Sequence, residues 1–279
     1  DLADRLLLRR LFSEHADVSA VVHFAAFKAV GESTSQPLSY YRNNVSGSIA
    51  LLEEMQSAKV RNLVFSSSCT VYGEPEKVPI SEDFPTGQVS SPYGRTKYMM
   101  EEIIRDHSNA NSDFHAAILR YFNPVGAHPS GKIGEDPTGV PDNLVPFVCQ
   151  VATGKLEKLR VFGDDYPTKD GTCIRDYIHI MDLADAHISA LEYLFSNKRS
   201  NVFEIFNVGT GQGKTVKDVV DCFEKVSGKK INYDLGARRK GDVISAFADA
   251  SKAKKILNWK TKISFEDAIL TAWKWEQNK

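Results

Sequence analysis

The sequence has 279 residues, of which 35 are Lys or Arg and 36 are Asp or Glu, so its formal net charge of −1 gives no reason to expect a nucleic-acid partner. No apolar run reaches membrane-spanning length and the seven histidines show no zinc-ligand spacing, so neither a membrane nor a metal is expected. Four widely spaced cysteines without a Cys-x-x-Cys pair indicate free thiols in a reducing compartment, which predicts a cytoplasmic globular enzyme.

The first part of the chain alternates helical and strand periodicity. The predicted elements are a helix at 6–15, a strand at 20–25, a helix at 37–57, a strand at 62–66, a helix from Pro92 and a strand at 116–120. The helix at 37–57 is predicted to bury one face carrying Val45, Ile49, Leu52 and Met55. Repeated β-α-β units predict an α/β fold with a parallel sheet and right-handed crossovers.

The second part of the chain is less regular. Residues 124–143 carry four prolines and four glycines and predict a long loop with a functional reason. The predicted elements that follow are a helix at 144–153, a strand at 159–162, a loop to Arg175, a helix at 182–195, a strand at 203–208, a helix opened by Thr215 and ended before Gly228, and a last helix capped by Ser264. We therefore predict a second, smaller lobe whose loops close over the sheet.

A tyrosine, a lysine and a serine form the most informative constellation. Tyr93 and Lys97 are four residues apart, so they share a helix face, and Ser68 ends a predicted buried strand. We expect the Lys97 ammonium to lower the pKa of Tyr93, and the Ser68 hydroxyl to bridge Tyr93 to a substrate oxygen. This arrangement suits proton transfer coupled to oxidoreduction at a carbinol carbon. The pair alone is weak, because a solvated helix start with an incidental lysine gives the same spacing.

A glycine-rich stretch at 209–215 resembles a phosphate-binding loop between a strand and a helix. The P-loop pattern requires a glycine five positions before Gly213, and Val208 stands there. We therefore predict an ordinary turn and no ATP hydrolysis.

Taken together, several stretches resemble the UDP-glucose 4-epimerases of the extended short-chain dehydrogenase/reductase family. They are HFAAFKAVGES at 23–33, YYRNNV at 40–45, SSSCTVYG at 66–73, SPYGRTK at 91–97, LRYFNPVGAHPSG at 119–131 and DGTCIRDYIHIMD at 170–182. The resemblance covers essentially the whole chain. It implies a Rossmann-like, doubly wound parallel sheet with a smaller C-terminal α/β substrate lobe, divided into a partial NAD-binding domain at 1–123 and a UDP-sugar lobe at 124–279. It leaves open that a strand and a helix of the second part return to the Rossmann sheet.

The resemblance also implies roles for individual residues. Tyr93 would be the base that takes the sugar 4-hydroxyl proton, Ser68 its bridging partner, and Lys97 the group that holds the nicotinamide ribose. The residues expected to contact NAD are Asp1, Leu2, Phe24, Ala25, Lys28, Asn43, Ser66 and Tyr121. The residues expected to contact the nucleotide sugar are Asn123, Asn143, Phe162, Arg175, Tyr177, Arg239, Asp242 and Ala246.

Within the substrate set, different chemistry is expected of different side chains. Arginine and asparagine donors would hold the diphosphate, Phe162 would pack the uracil and Asp242 would accept from the uridine ribose. Ala246 falls where the family varies between tyrosine and smaller residues, so UDP-N-acetyl sugars are expected to fit as well. The family tendency is a homodimer formed through the helices that begin near Pro37 and Tyr93.

One family feature is not found in this sequence. The family opens with a strand, a Gly-x-x-Gly-x-x-Gly turn and a helix. Asp1 matches the family pattern only after these elements, so we expect the first strands of the sheet to be missing. The strand at 20–25 would then have an unpaired edge. Two alternatives stay open: an incomplete UDP-sugar-binding fragment, and another nucleotide-sugar dehydratase or decarboxylase. A dehydratase is expected to carry an Asp-Glu pair after the strand serines, where this chain has Cys69 and Thr70.

Overall fold

The computed structural model describes residues 1–239 and 241–279. The helices are α1 Arg5–Glu14, α2 Val30–Ser35, α3 Pro37–Tyr40, α4 Gly47–Ser57, α5 Pro92–Ala110, α6 Leu144–Ala152, α7 Ile180–Ser196, α8 Val216–Ser227, α9 Ser251–Ile256 and α10 Phe265–Asn278. The strands are β1 Ala20–His23, β2 Asn62–Ser68, β3 His115–Tyr121, β4 Asn123–Val125, β5 Leu159–Phe162, β6 Ile174–His179, β7 Val202–Val208, β8 Gly213–Thr215, β9 Tyr233–Gly236 and β10 Ser245–Ala246.

The main sheet is parallel, with strand order β1-β2-β3-β7. Its central strands are apolar on both faces, as is typical of parallel sheets covered by helices on both sides. Leu63 and Phe65 of β2 pack with α1, α4 and α5, whereas Val64 between them packs with α7. This two-residue alternation places a helical layer on each face and confirms the predicted α/β fold.

The outer edge of β1 marks the limit of this sheet. Among the residues that the structure describes, β1 pairs with β2 and with no strand on its other side. Leu6, Leu7 and Leu11 on neighbouring α1 are exposed.

The remaining strands form two smaller sheets. Strands β10, β6 and β4 lie side by side with β8 added to β6, and β5 pairs with β9. A separate apolar core joins α6, α8 and α10 around Phe223, Ile269 and Trp273. Thr215 and Asp218 form the capping box of α8, and Gly228 ends this helix in the left-handed conformation, as predicted.

The helix predicted at 37–57 is interrupted. Residues Tyr41–Ser46 form a π-helical turn between α3 and α4. The extra residue in such a turn rotates the following face, so Gly47 and Ser48 face inward while Ile49 is 37% exposed. The predicted burial of Val45, Leu52 and Met55 is confirmed, and that of Ile49 is wrong.

No helix in the described ranges is long and apolar enough to cross a membrane.

Candidate active site

The carboxyl ends of β2 and β3 bring the candidate residues to one edge of the sheet. Ser66 and Ser68 lie in register with Leu119 and Tyr121 of β3. In open parallel sheets this edge is where ligands bind, because the strands end there and the loops diverge. The site is therefore built on regular elements and extended by loops.

The start of α5 delivers Tyr93 to Ser68. Ser91 accepts the backbone N–H of Gly94 at 3.2 Å and Pro92 occupies the first turn, so the helix begins here for local reasons. The Tyr93 side chain is buried beside Ser68. The backbone N–H and the hydroxyl of Thr70 donate to Ser68 Oγ at 3.2 and 3.0 Å. Both acceptor positions of Ser68 are thereby used, and its own proton is left for Tyr93 or for an incoming oxygen.

Lys97 is buried one turn further along α5. Its Nζ donates to the Ser66 carbonyl oxygen at 2.7 Å and lies 5.0 Å from the centre of the Phe65 ring. Burial lowers the pKa of Lys97 to about 8, and the nearby Glu101 carboxylate opposes that shift. The lysine can therefore gain or lose its charge near the physiological range.

The expectation that Lys97 lowers the pKa of Tyr93 is wrong for this structure. Burial is the main cause of a raised pKa at Tyr93, the nearby Tyr121 adds to it, and the hydrogen bond from Ser68 opposes it. The Lys97 ammonium instead acts on His23, whose pKa falls to about 4, first through burial and then through this charge. The environment of Tyr93 in the protein alone thus favours the neutral phenol.

Ser66 belongs to a directional chain of hydrogen bonds. Ser66 Oγ lies 2.9 Å from His187 Nε2, and His187 Nδ1 lies 2.8 Å from the Leu183 carbonyl oxygen. Because a carbonyl only accepts, Nδ1 carries the proton and Nε2 accepts from Ser66. Tyr121 lies beside Ser66, and the exposed Phe24 ring packs at a tilt against His187, with ring centres 4.6 Å apart. Three of the predicted cofactor residues therefore meet at the end of β2.

The other predicted cofactor residues are spread around the rim. The Asn43 side chain donates to Asn44 at 2.9 Å. The Asn44 side chain accepts the N–H of Phe27 and donates to its carbonyl, so it joins the loop after β1 to the π-helical turn. Ala25 is exposed in that loop. The side chain of Leu2 packs on Gly47, and the exposed Asp1 accepts the N–H of Ala3 at 2.9 Å.

Lys28 reaches across the site rather than into the cofactor cluster. Its Nζ lies 3.0 Å from Glu135 Oε1, and Asn143 Nδ2 donates to the same oxygen at 2.7 Å. A predicted cofactor residue and a predicted substrate residue therefore share one carboxylate. The loop that carries Glu135 is fixed to α10, because the Trp275 indole N–H donates to the Glu135 carbonyl at 2.9 Å.

A second cluster gathers two arginines around one carboxylate. Arg239 donates to Asp242 through two N–H groups at 2.9 and 3.2 Å, and Arg175 Nη2 lies 3.6 Å from the same carboxylate. Arg175 also donates to the carbonyls of Ile174 and Val243, both at 2.8 Å. The Phe162 ring lies 5.5 Å from the Arg239 guanidinium. The structure thus brings together a planar ring, two cations and an acceptor, a set suited to a nucleotide.

The remaining predicted substrate residues lie on the adjacent strands β4, β6 and β10. Asn123 of β4 pairs in register with Tyr177 of β6, and Ala246 of β10 with Arg175. Tyr177 is buried beside Phe265, with ring centres 5.9 Å apart. Ala246 is buried in a small core that includes Tyr72 and Phe122.

The glycine-rich turn after β7 holds a protein carboxylate. Its amides at Thr210 and Gly211 donate to Asp176 at 2.9 and 3.0 Å, and Ala248 donates to the same side chain at 3.1 Å. A fully buried carboxylate therefore uses the donors that a phosphate loop would offer to a nucleotide, which fits the prediction of an ordinary turn.

Comparisons with known proteins show the family of this chain. A family model described as GDP-mannose 4,6 dehydratase matches residues 1–271. UDP-glucose 4-epimerase from Bacillus subtilis (strain 168) is 51% identical over 278 residues, which are 100% of this chain and 80% of that protein. The chain belongs to the UDP-glucose 4-epimerase family.

Solved structures of UDP-glucose 4-epimerases superimpose closely on the chain. The enzyme from Stenotrophomonas maltophila, crystallised with bound NAD and formylated UDP-arabinopyranose, has a TM-score of 0.95 and 48% identity, covering 100% of this chain and 81% of that one. The enzyme from Bifidobacterium longum in complex with NAD⁺ and UDP has a TM-score of 0.95 and 44% identity, covering 100% and 82%. The predicted Rossmann-like fold is confirmed.

Sequence reasoning about this epimerase-family chain missed several residues that organise the site. Thr70, Asn44, His187 and Glu135 each hold a predicted residue in place. Asn44 had a visible signal, because it forms a doublet with Asn43, and Thr70 follows Ser68 by two residues. His187 and Glu135 are distant in sequence from their partners and gave no local signal.

Proposed function

We propose that the chain interconverts UDP-glucose and UDP-galactose by transient oxidation at C4 of the hexose, with NAD as cofactor and Tyr93 as the base. The observation that carries the proposal is the buried Ser68, Tyr93 and Lys97 assembly at the carboxyl edge of a parallel sheet. It occurs in a chain about half identical to UDP-glucose 4-epimerases along its whole length.

The residues at the end of β2 fit a dinucleotide carrying a flat ring and ribose hydroxyls. The exposed Phe24 ring offers an apolar wall, and Lys97, Ser66 and Tyr121 supply donors and acceptors beside it. Bound NAD supplies the hydride acceptor and donor for sugar C4 and brings a positively charged nicotinamide ring. Lys97 would hold the ribose. The residues that would line the remainder of the cofactor are Asp1, Leu2, Phe24, Ala25, Lys28 and Asn43.

Tyr93 and Ser68 would carry the proton. The C4 hydroxyl proton would pass to Tyr93 directly or through Ser68, while the hydride on C4 would leave to the bound NAD. The 4-keto sugar would then turn and receive the same hydride on the opposite face of C4, and Tyr93 would give the proton back to the same oxygen. Because burial raises the pKa of Tyr93, positive charge brought near the phenol on binding is needed to make it a base at neutral pH.

The arginine cluster would hold the UDP. Arg175 and Arg239, with Asn123 and Asn143, would donate to the diphosphate, and Asp242 would exchange its arginine partners for a ribose hydroxyl. Phe162 would stack on the uracil and Tyr177 would flank the site. A firm hold on UDP leaves the hexose free to turn between its two orientations.

Ala246 is proposed as a permissive wall of the sugar pocket. It lies in register with Arg175, and its side chain is smaller than the tyrosine that other members of the family carry there. We therefore propose that UDP-N-acetylglucosamine is also a substrate. Turnover of UDP-glucose without turnover of the N-acetyl sugar would contradict this.

We further propose a cytoplasmic homodimer, with a cofactor lobe at 1–123 and a substrate lobe mainly at 124–279. Leu38, Ile49 and Met99 are exposed on the helices that would form the dimer bundle. The free cysteines suit a reducing compartment. Sedimentation of the chain with and without Leu38→Glu tests the dimer, and a monomeric wild type would contradict it.

The proposed reaction is tested with UDP-galactose and added NAD, following UDP-glucose by chromatography. Product that disappears in Tyr93→Phe supports the proposal. UDP binding without product would favour an incomplete UDP-sugar-binding protein, and a dehydrated keto sugar would favour another nucleotide-sugar enzyme.

A further inference from the structure

A buried ion pair between Glu101 and Arg120 lies next to the carboxyl end of β2. The Glu101 carboxylate accepts three N–H contacts from Arg120, at 2.5, 3.0 and 3.1 Å, and the Ser67 hydroxyl at 2.5 Å. Both charged side chains are at most 3% exposed. The Arg120 guanidinium also donates to the Tyr72 hydroxyl at 3.0 Å, so the pair is fully hydrogen bonded.

The backbone geometry explains why these groups meet. Alternation along β2 places Ser67 on the face covered by α5, opposite to the face on which Ser66 meets α7. Arg120 of β3 lies in register with Ser67. Glu101 lies on α5 one turn after Lys97 and two turns after Tyr93, so the same helix carries all three.

The ion pair joins α5 to β3, and the Ser67–Glu101 hydrogen bond joins α5 to β2, the two elements whose relative position sets the proposed active site. Ser67 lies between Ser66, whose carbonyl accepts from Lys97, and Ser68, which lies beside the buried Tyr93 side chain. A shift of α5 along β2 would lengthen all of these contacts together. The Ser67–Glu101 bond opposes that shift from the helix turn next to Lys97.

Fold stability alone does not require charges at this position. Burying an ion pair costs much of what the attraction returns, and apolar replacements of similar volume are often neutral or stabilising. A buried Glu–Arg pair beside a functional lysine calls for another reason.

Resting on the proposed function, we propose that Glu101, held by Arg120, is a positioning residue for the reaction, which keeps Lys97 charged and in register with the Ser66–Ser68 end of β2.

The charges around Lys97 support this role. The titratable and charged groups that face its surroundings are Tyr93 and Glu101 on α5, His23 on β1, Arg120 and Tyr121 on β3, and His187 on α7 through Ser66. Burial lowers the pKa of both histidines and raises that of both tyrosines, so these four are neutral near pH 7. Burial lowers the pKa of Arg120, but Glu101 and Tyr72 together leave it above the ordinary arginine value, so Arg120 stays charged.

The test compares the double variant E101L/R120M with wild type. Lys97 is titrated by NMR of the lysine side chain, assigned with Lys97→Arg, and the pH profile of kcat is measured with UDP-galactose. With the carboxylate gone, we expect the Lys97 titration and the alkaline limb of kcat to move together to lower pH by roughly one unit. The surface pair Glu102 and Arg105 on the same helix offers the matched control E102Q/R105M, which should move neither.

A folded E101L/R120M protein with unchanged Lys97 titration and unchanged kcat profile would overturn the proposal and leave a structural role. The NMR titration needs no turnover, so a wild type that titrates as expected but forms no product would count against the proposed function and not against this inference. If the double variant does not fold, Ser67→Ala decides, because it keeps both charges and cuts the link to β2. A several-fold lower kcat at unchanged KM supports the proposal, and an unchanged kcat overturns it.

Discussion

Two groups of proposed site residues are built in opposite ways: the catalytic edge, formed by Ser68, Tyr93 and Lys97, and the nucleotide cluster, formed by Arg175, Arg239 and Asp242. Ser68, Tyr93 and Lys97 are buried on a strand end and a helix, and their hydrogen bonds are made within the protein. Arg239, by contrast, lies in a loop with 61% of its side chain exposed, and its charge is balanced by Asp242. The difference teaches that the geometry proposed for the chemistry is fixed by the core, whereas Arg239, proposed to hold UDP, is exposed and can exchange its Asp242 partner for a ligand.

Among the predicted changes, removing the Tyr93 hydroxyl from the buried catalytic edge should have the largest effect on kcat. Tyr93→Phe is expected to lower kcat by roughly 10³-fold, because positioned acid–base groups contribute on that scale. UDP affinity should not change, since the arginine cluster is untouched. Turnover assays with UDP-galactose and calorimetric UDP titration check both halves. Tyr98→Phe on the same helix is the control, and a kcat loss there as large as at Tyr93 would contradict a specific role.

The second prediction concerns pH and the charge of Lys97. Because burial lowers the pKa of Lys97 to about 8 and the charged form is the one proposed to work, kcat should fall as pH rises through about 8. Lys97→Arg stays charged, so its residual activity should lack this fall. The pH profile of kcat for both proteins measures it, and an identical alkaline limb in Lys97→Arg would assign the fall to another group.

In the same pH range, the contribution of Lys97 to the free energy of unfolding should change in the direction opposite to kcat. Between about 8 and the ordinary lysine pKa of 10.5, the unfolded chain holds the Lys97 proton that the folded protein has lost. The contribution of Lys97 to the free energy of unfolding therefore rises with pH in this window while activity falls. Denaturant unfolding of wild type and Lys97→Met across the window measures the difference, which should increase with pH in favour of wild type.

A smaller effect, on KM, is expected for substitution of Arg175 in the nucleotide cluster. Arg175→Met should raise KM for UDP-galactose by roughly 10-fold to 100-fold, the value of one or two charged hydrogen bonds. The same change frees the carbonyls of Ile174 and Val243, so a loss of stability should accompany it. Steady-state kinetics with thermal unfolding measure both, and an unchanged KM would place the diphosphate elsewhere.

The smallest expected effect is at Ala246. Ala246→Val should lower kcat/KM for UDP-N-acetylglucosamine about 10-fold relative to UDP-galactose, because added methyl groups discriminate on that scale. Competition between the two substrates measures the ratio directly. A ratio that stays at the wild-type value would remove Ala246 from the pocket wall.

The sequence was most informative where the signals are local. Pro92 after Ser91 marks the start of α5, and the apolar run before Ser66 marks β2, so the catalytic edge could be predicted. The π-helical turn at Tyr41–Ser46 had no recognisable signal, and Ile49 was consequently assigned to the wrong face. Strands β9 and β10 were missed because their partners are distant in sequence.

Electrostatics was the least predictable part of the site. The spacing of Tyr93 and Lys97 is a local property and was read correctly, but the pKa of Tyr93 depends on burial, which the spacing does not give. Likewise, Glu101 meets Arg120 only because β3 returns beside β2. Sequence alone supplied the chemical groups, and the long-range contacts decided their states.

The most direct test of the contrast between the two regions is kcat of Arg239→Met at saturating UDP-galactose. Arg238→Met is the matched control, because Arg238 is bound to Asp165 at 2.7 Å and lies next in the chain. The account predicts a KM about 10-fold higher and a kcat near that of wild type in Arg239→Met, with neither changed in the control. A kcat that falls as far as in Tyr93→Phe would contradict the separation of chemistry from grip.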